Sequence, residues 1–213
     1  MRIISEILAD IGYLLLLINC IILGKNILNK TKELKVFFVY NVLMFIIQMI
    51  TAVLFYYSIN NLFLSHFYFI GQFILVSYFY YLLIEESFQR KIICIVSPLS
   101  LLLVGIQYAF ESENFFKLNL FEIFMMSLPL IIYATFHLYN LLTKEKRFYY
   151  ITTGLIIYLF GSTAVFLTYK FSASIDKLST TKYIWLFNLC LYIVYQLFIL
   201  KDLLSNKSNG IKY

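Results

Sequence analysis

The sequence predicts an all-α membrane protein, with seven transmembrane helices in one bundle, the N-terminus outside and the C-terminus inside. Three observations predict it. Of 213 residues, 62% are hydrophobic and 13% charged, whereas roughly a quarter of a soluble domain is charged. The charges fall between seven apolar runs, each close to the ~20 residues that a helix needs to cross a bilayer. Finally, 12 of the 17 Lys and Arg residues lie on alternate connections, at 25–35, 85–91, 143–147 and from 201 onward. That asymmetry assigns those connections to the cytoplasm. The opposite set holds five, three of them in the 170–182 connection.

The first run, 4–24, carries Glu6 and Asp10 and contains LLINC, which loosely resembles a lipoprotein cleavage box. Asn19 stands where a small residue should precede the cysteine, and acids replace a basic leader, so the run is a retained helix. In the second run, 36–58, Asn41, Met44, Gln48, Thr51 and Phe55 recur at steps of three and four. That spacing aligns them on one helix face, turned to the bundle interior. The third run, 62–84, carries His66 near its outer end and Gln72 near its middle, and the fourth, 92–110, contains Pro98. The fifth, 120–142, opens with Glu122 and holds His137 near its inner end; the sixth is 148–170. The seventh, 183–203, spaces Asn188, Tyr192 and Gln196 four apart. Residues 204–213 form a cytoplasmic tail, and the short connections leave nothing for a soluble domain, so residues 1–213 are one bundle.

TKE at 31–33 recurs at 143–145, and TAV at 51–53 recurs at 163–165, both after 112 residues. The same shift pairs Asp10-Ile11 with Glu122-Ile123, Leu16 with Leu128, Leu43 with Leu155 and Tyr57 with Tyr169. A shift of 124 pairs Tyr68 with Tyr192 and Gln72 with Gln196. The expected plan is repeat A at 4–84, a linker helix at 92–110, and repeat B at 120–203. The shift spans four helices, so both halves enter the membrane the same way round. These are parallel repeats, related by an axis along the membrane normal.

Polar side chains are expensive in hydrocarbon and turn inward. At a rise of ~1.5 Å per residue, Asp10 lies ~9 Å below the outer surface, Asn188 ~8 Å, His66 ~6 Å and Glu122 ~3 Å. Gln48 and Gln72 fall near the midplane. The expected ligand-binding set is therefore Asp10, His66 and Asn188 around one outer cavity, Glu122 at its rim, and Gln48 and Gln72 as its floor. Proton coupling is expected at Asp10. The competing reading of the amides is interhelical adhesion, at about 0.6 kcal/mol each. Glu122, so near its helix end, also fits a solvated group complementing the helix dipole. The aromatic residues, 19 Tyr and 22 Phe, are expected chiefly to face lipid or anchor the interfaces, with Tyr183 and Trp185 in such a belt.

Several classes are excluded. The Lys and Arg residues sit between apolar runs, where they set orientation, which excludes nucleic acid as a partner. Cys20, Cys94 and Cys190 lack paired spacing and read as small buried hydrophobes. No HExxH, GxSxG, phosphate loop or CxxC is present; no catalytic set, metal site or cofactor is implied, which disfavours an enzyme. The abundance of Ile, Lys, Asn, Phe and Tyr suggests an AT-rich, bacterial genome, and hence a multi-pass protein of the inner (plasma) membrane. Its expected partners are the lipid bilayer, a small polar ligand, and a partner membrane protein or a second copy.

The three-one-three layout with the N-terminus outside resembles that of the sugar-efflux and PQ-loop transporters, and also that of rhodopsin-type receptors. The resemblance covers architecture alone. The proline-glutamine pair is missing, and Lys182 and Lys201 flank helix 7 where a retinal lysine would lie within it. No functional residue carries over from either family. Two functions follow: transport or binding of a small polar molecule or proton, and a receptor-like sensor or subunit that signals through a partner. The repeat, the midplane polar groups and the lack of an output domain favour the first. The scarcity of Gly (7) and Pro (2) favours the second.

Overall fold

The computed structural model describes residues 2–143, 146–174 and 178–208, and its regular structure there is helical throughout. The helices are α1 (Arg2–Gly24), α2 (Lys32–Tyr56), α3 (Leu64–Leu83), α4 (Ser87–Phe110), α5 (Leu120–Asn140), α6 (Tyr149–Ser174) and α7 (Leu178–Ser208). All seven are long and apolar enough to cross a membrane. The protein is thus a multi-pass helical bundle. Each expected run finds its helix. The largest differences are at α4, which starts at Ser87 rather than 92, and at α7, which runs from Leu178 to Ser208 rather than 183–203. Polar residues continue these helices beyond the apolar runs, because hydropathy marks the hydrocarbon span and not the helix end. Lys144 and Glu145 of the second TKE motif lie outside the described residues, as do 175–177 and 209–213 of the tail.

Side chains satisfy the backbone at three helix ends. The Lys30 ammonium donates to the carbonyls of Ile22 (3.5 Å) and Leu23 (3.3 Å), capping the C-terminus of α1. Burial pulls the Lys30 pKa below the usual lysine value. Asn26 supplies the left-handed turn that follows (φ 56°). At the start of α5, the Asn119 side chain accepts from the backbone N–H of Glu122 at 3.3 Å, an N-cap. Asp202 of α7 is buried and accepts from the backbone N–H of Ile151 at 3.1 Å, serving the first turn of α6.

Six helices form a closed ring in the order α1, α2, α3, α5, α6, α7, back to α1, and α4 lies outside it against α3 and α5. The buried residues of α4, Ile93, Ser100 and Val104, form one narrow stripe, while Ile95, Leu99 and Leu102 point outward. The starts of α1, α3, α5 and α7 share one end of the bundle, here the upper end. At the lower end, Gln89 and Asn140 exchange amide hydrogen bonds (2.8 and 3.4 Å) between α4 and α5.

Close approaches within the ring are made by glycine, the usual device for bringing membrane helices together. A Cβ on Gly154 of α6 would sit 2.5 Å from the Phe198 Cβ of α7, and one on Gly161 2.7 Å from Leu191. Gly12 of α1 faces the Tyr192 ring in the same way, at 3.0 Å. The core departs from two expectations. Cys20 is buried, but Cys94 and Cys190 are exposed on the outer flank, where an apolar surround of lipid suits a thiol as well as a core does. The tyrosines are not chiefly peripheral either. Tyr40, Tyr68, Tyr80, Tyr133, Tyr158, Tyr192 and Tyr195 are buried, whereas Tyr183 is exposed and Trp185 packs partly exposed against Phe166 (6.0 Å), as a belt requires.

Candidate functional site

Near the upper end, α3, α4 and α5 bring together an imidazole, a phenol and a carboxylate. His66 lies in the first turn of α3, Tyr108 in the last turn of α4, and Glu122 in the first turn of α5. The His66 Nδ1 is 2.5 Å from Glu122 Oε2. The Tyr108 hydroxyl donates to the same Oε2 at 2.7 Å and stands 2.8 Å from Nδ1. On the other side of the ring, Nε2 donates to the backbone carbonyl of Phe115 at 2.9 Å. Phe115 belongs to a short 3-10 turn, Ser112–Phe116, and its ring stacks on the imidazole at 5.1 Å and 27°. Asn119 fixes the start of the carboxylate's helix, capping α5 and donating to Gln107 Oε1 of α4 at 2.8 Å. Glu122 is 0% exposed and His66 2%.

The partners dictate the proton count. A carbonyl only accepts, so Nε2 carries a hydrogen. One further proton then lies between Nδ1 and Oε2, giving either imidazolium with carboxylate or imidazole with carboxylic acid. Both are neutral overall, which is the form a buried couple needs. Glu122 Oε1 has no hydrogen-bond partner among the described residues. Around this core the covering turn holds Glu111, which accepts from Asn114, and Glu113, which pairs with Lys117 at 3.2 Å; these are exposed.

A second polar layer crosses the middle of the ring. Tyr68 (α3) and Tyr158 (α6) share a hydrogen bond of 3.0 Å. Gln72 donates to the Tyr40 hydroxyl of α2 at 3.0 Å. The Asn19 amide of α1 donates to the side chain and the backbone carbonyl of Gln196 on α7, at 2.9 and 3.0 Å. Tyr195 lies flat on Tyr158 (5.3 Å, 9°), with Tyr192 edge-on to it at 5.9 Å. Among the described residues, Asn19 Oδ1, Thr163 Oγ1, Asn188 Oδ1 and the Tyr192 hydroxyl are buried without partners.

The expected set therefore divides. His66 and Glu122 meet, and Glu122 is at the centre of the contact instead of on a solvated rim, because the covering turn closes over it. Asp10 is exposed on α1, whose ring neighbours are α2 and α7, so it does not converge with His66. Asn188 belongs to the α7 face of the central layer, Gln72 is tied to Tyr40, and Gln48 is half-buried on α2. The expected stripe on α2 holds for Asn41 and Met44, which are buried, while Phe55 turns outward. A groove of about 230 Å3 lined by Val194, Leu197, Phe198 and Lys201 opens on the flank of α7, away from these groups.

Sequence reasoning missed Tyr108, Phe115, Asn119, Tyr40 and Tyr158. One signal was available: Asn119 three residues ahead of Glu122 is an N-cap spacing, and it fixes which way α5 starts. Asn19 was noticed only as an obstacle to cleavage. Comparison with family models, curated proteins and solved structures finds no match to this chain.

Proposed function

We propose that the protein carries a small polar molecule across the membrane in linkage with a proton, and that the His66–Glu122 couple at the upper end is the proton site. The upper end is external in this reading, in accord with the charge asymmetry. One observation carries it. His66 belongs to the α1–α3 half and Glu122 to the α5–α7 half, so a neutral, one-proton couple closes the seam where the two halves meet.

The ring supports a parallel repeat. Carrying α1, α2 and α3 onto α5, α6 and α7 sends the α1–α2 contact to α5–α6, α2–α3 to α6–α7, and the α3–α5 seam to α7–α1. Every neighbour relation in the ring has its counterpart. Two three-helix units related in this way rock about a shared interior. The seams are fastened differently. Asn19 and Gln196 close α1–α7 with neutral amides, and His66 and Glu122 close α3–α5 with a titratable pair. Adding a proton leaves imidazolium facing a neutral carboxyl; removing one leaves imidazole facing carboxylate with no proton between them. Either change weakens the closure, which is how protonation state is linked to opening. Proton coupling thus moves from Asp10 to Glu122.

The test is uptake into proteoliposomes under an imposed pH difference. Glu122→Gln reduces pH-driven uptake by about tenfold or more, and Asp10→Asn leaves it near wild type. Equal pH dependence in wild type and Glu122→Gln overturns the reading. A receptor-like subunit that signals through a partner membrane protein is the second reading. The observation favouring it is the filled interior of the ring, where Tyr195, Phe73 and Ile199 are fully buried.

A further inference from the structure

We infer that the central layer of the ring is a binding site for a small uncharged solute bearing hydroxyl or amide groups, and that the Tyr192 hydroxyl is one of its ligands. This rests on the carrier reading and adds to it the place and chemical class of what is carried.

The first observation is a file of unsatisfied atoms. Asn188 and Tyr192 stand one turn apart on α7, and Asn188 Oδ1 and the Tyr192 hydroxyl are both buried without partners among the described residues. Tyr192 is 7% exposed. Asn19 Oδ1 is equally unpartnered, although the amide nitrogen of the same side chain is bound to Gln196. Each such atom costs about 1–3 kcal/mol when left unpaired. Adhesion between helices accounts for the Asn19 amide nitrogen but not for these three oxygens, because adhesion requires a partner. A hydrogen-bonding molecule between the halves supplies one.

The second observation is the charge distribution. The middle stretches of the six ring helices, 11–23, 36–56, 67–83, 123–136, 149–168 and 183–200, contain no Asp, Glu, Lys, Arg or His; Asp10, His66, Glu122, His137 and Asp202 lie toward the helix ends. A charged solute brought to this depth would find no counter-charge, and an unpaired charge in a low-dielectric interior is strongly disfavoured. The layer instead offers donors and acceptors together: hydroxyls from α2, α3, α6 and α7, and amides from α1, α3 and α7. A neutral polar solute satisfies them without a change of charge. The layer also draws on both halves, with Tyr68 and Gln72 on α3 and Tyr192 and Gln196 on α7 repeating one Tyr-x-x-x-Gln spacing, so a solute held there is held by whichever half moves.

The test uses the full-length protein in proteoliposomes, with erythritol as the neutral probe and methylammonium as the charged one, each followed by stopped-flow light scattering. Erythritol is expected to cross faster than through protein-free liposomes, and methylammonium no faster. Tyr192→Phe is expected to reduce erythritol flux by about fivefold or more, the value of one hydrogen bond. Its thermal melting is expected to be unchanged or higher, since the hydroxyl removed has no partner within the bundle. Wild-type erythritol flux in Tyr192→Phe overturns the inference, as does a lowered melting temperature, which would show the hydroxyl already satisfied by structural water. Erythritol flux no faster than through protein-free liposomes, or methylammonium flux equal to that of erythritol, overturns it too. Glu122→Gln separates the two ideas: if it leaves pH dependence intact while Tyr192→Phe still loses flux, the proton reading fails and the neutral-solute site stands.

Discussion

At position 66 one imidazole makes two sets of contacts. Its Nε2 is committed to the Phe115 carbonyl and its Nδ1 to Glu122 and Tyr108, so the covering turn sets the tautomer of the imidazole. The two side chains act as a unit, and a double-mutant cycle on His66→Gln and Glu122→Gln should give a coupling on the order of 1–3 kcal/mol by chemical or thermal unfolding. Additive single-variant effects would show that the contact is incidental. The contrast between Asp10 and Glu122 shows what a residue's depth conveys. Both acids follow from the sequence as groups in the upper half. Depth along a helix is a matter of counting residues, but direction around it depends on which neighbours it packs against. Asp10 points out of the ring and Glu122 points into the α3–α5 seam.

The helices themselves follow closely from the apolar runs, since length and hydropathy suffice to mark a span. Their pairing follows from smaller features. Gly154 and Gly161 lie seven residues apart on α6 and admit Phe198 and Leu191 of α7. Gly154→Ala should therefore cost about 1–3 kcal/mol by overpacking, read as a lower melting temperature in detergent. Gly105 is the control, because a Cβ there meets nothing within 4 Å on the outboard α4, and Gly105→Ala should be neutral or slightly stabilising. A Gly154→Ala protein as stable as wild type would place the α6–α7 contact elsewhere. Pro98 sits inside α4 and Pro129 inside α5, and neither ends its helix. In a bundle, neighbouring helices stabilise such a helix despite the lost backbone hydrogen bond.

For the molecule as a whole, orientation is the first thing to establish. With Cys20, Cys94 and Cys190 replaced by Ala, a single cysteine at Lys25→Cys should resist an impermeant maleimide in intact cells, and one at Ser112→Cys should react. Outside labelling at position 25 would reverse the topology and put the His66–Glu122 couple on the cytoplasmic side. The sequence by itself determined the helical class of the protein and the number and approximate limits of its apolar spans. These depend on a quantity that adds along a chain, hydrophobic length. The tertiary structure decided which polar groups meet. It placed α4 outside the ring, set α3 against α5, buried Glu122 beneath Phe115, and gathered the tyrosines that composition alone assigned to lipid. Those outcomes depend on the rotation of each helix about its own axis. In a chain this uniformly apolar, that rotation is set by side-chain fit and hydrogen bonding between neighbours, and both exist only once the helices have packed.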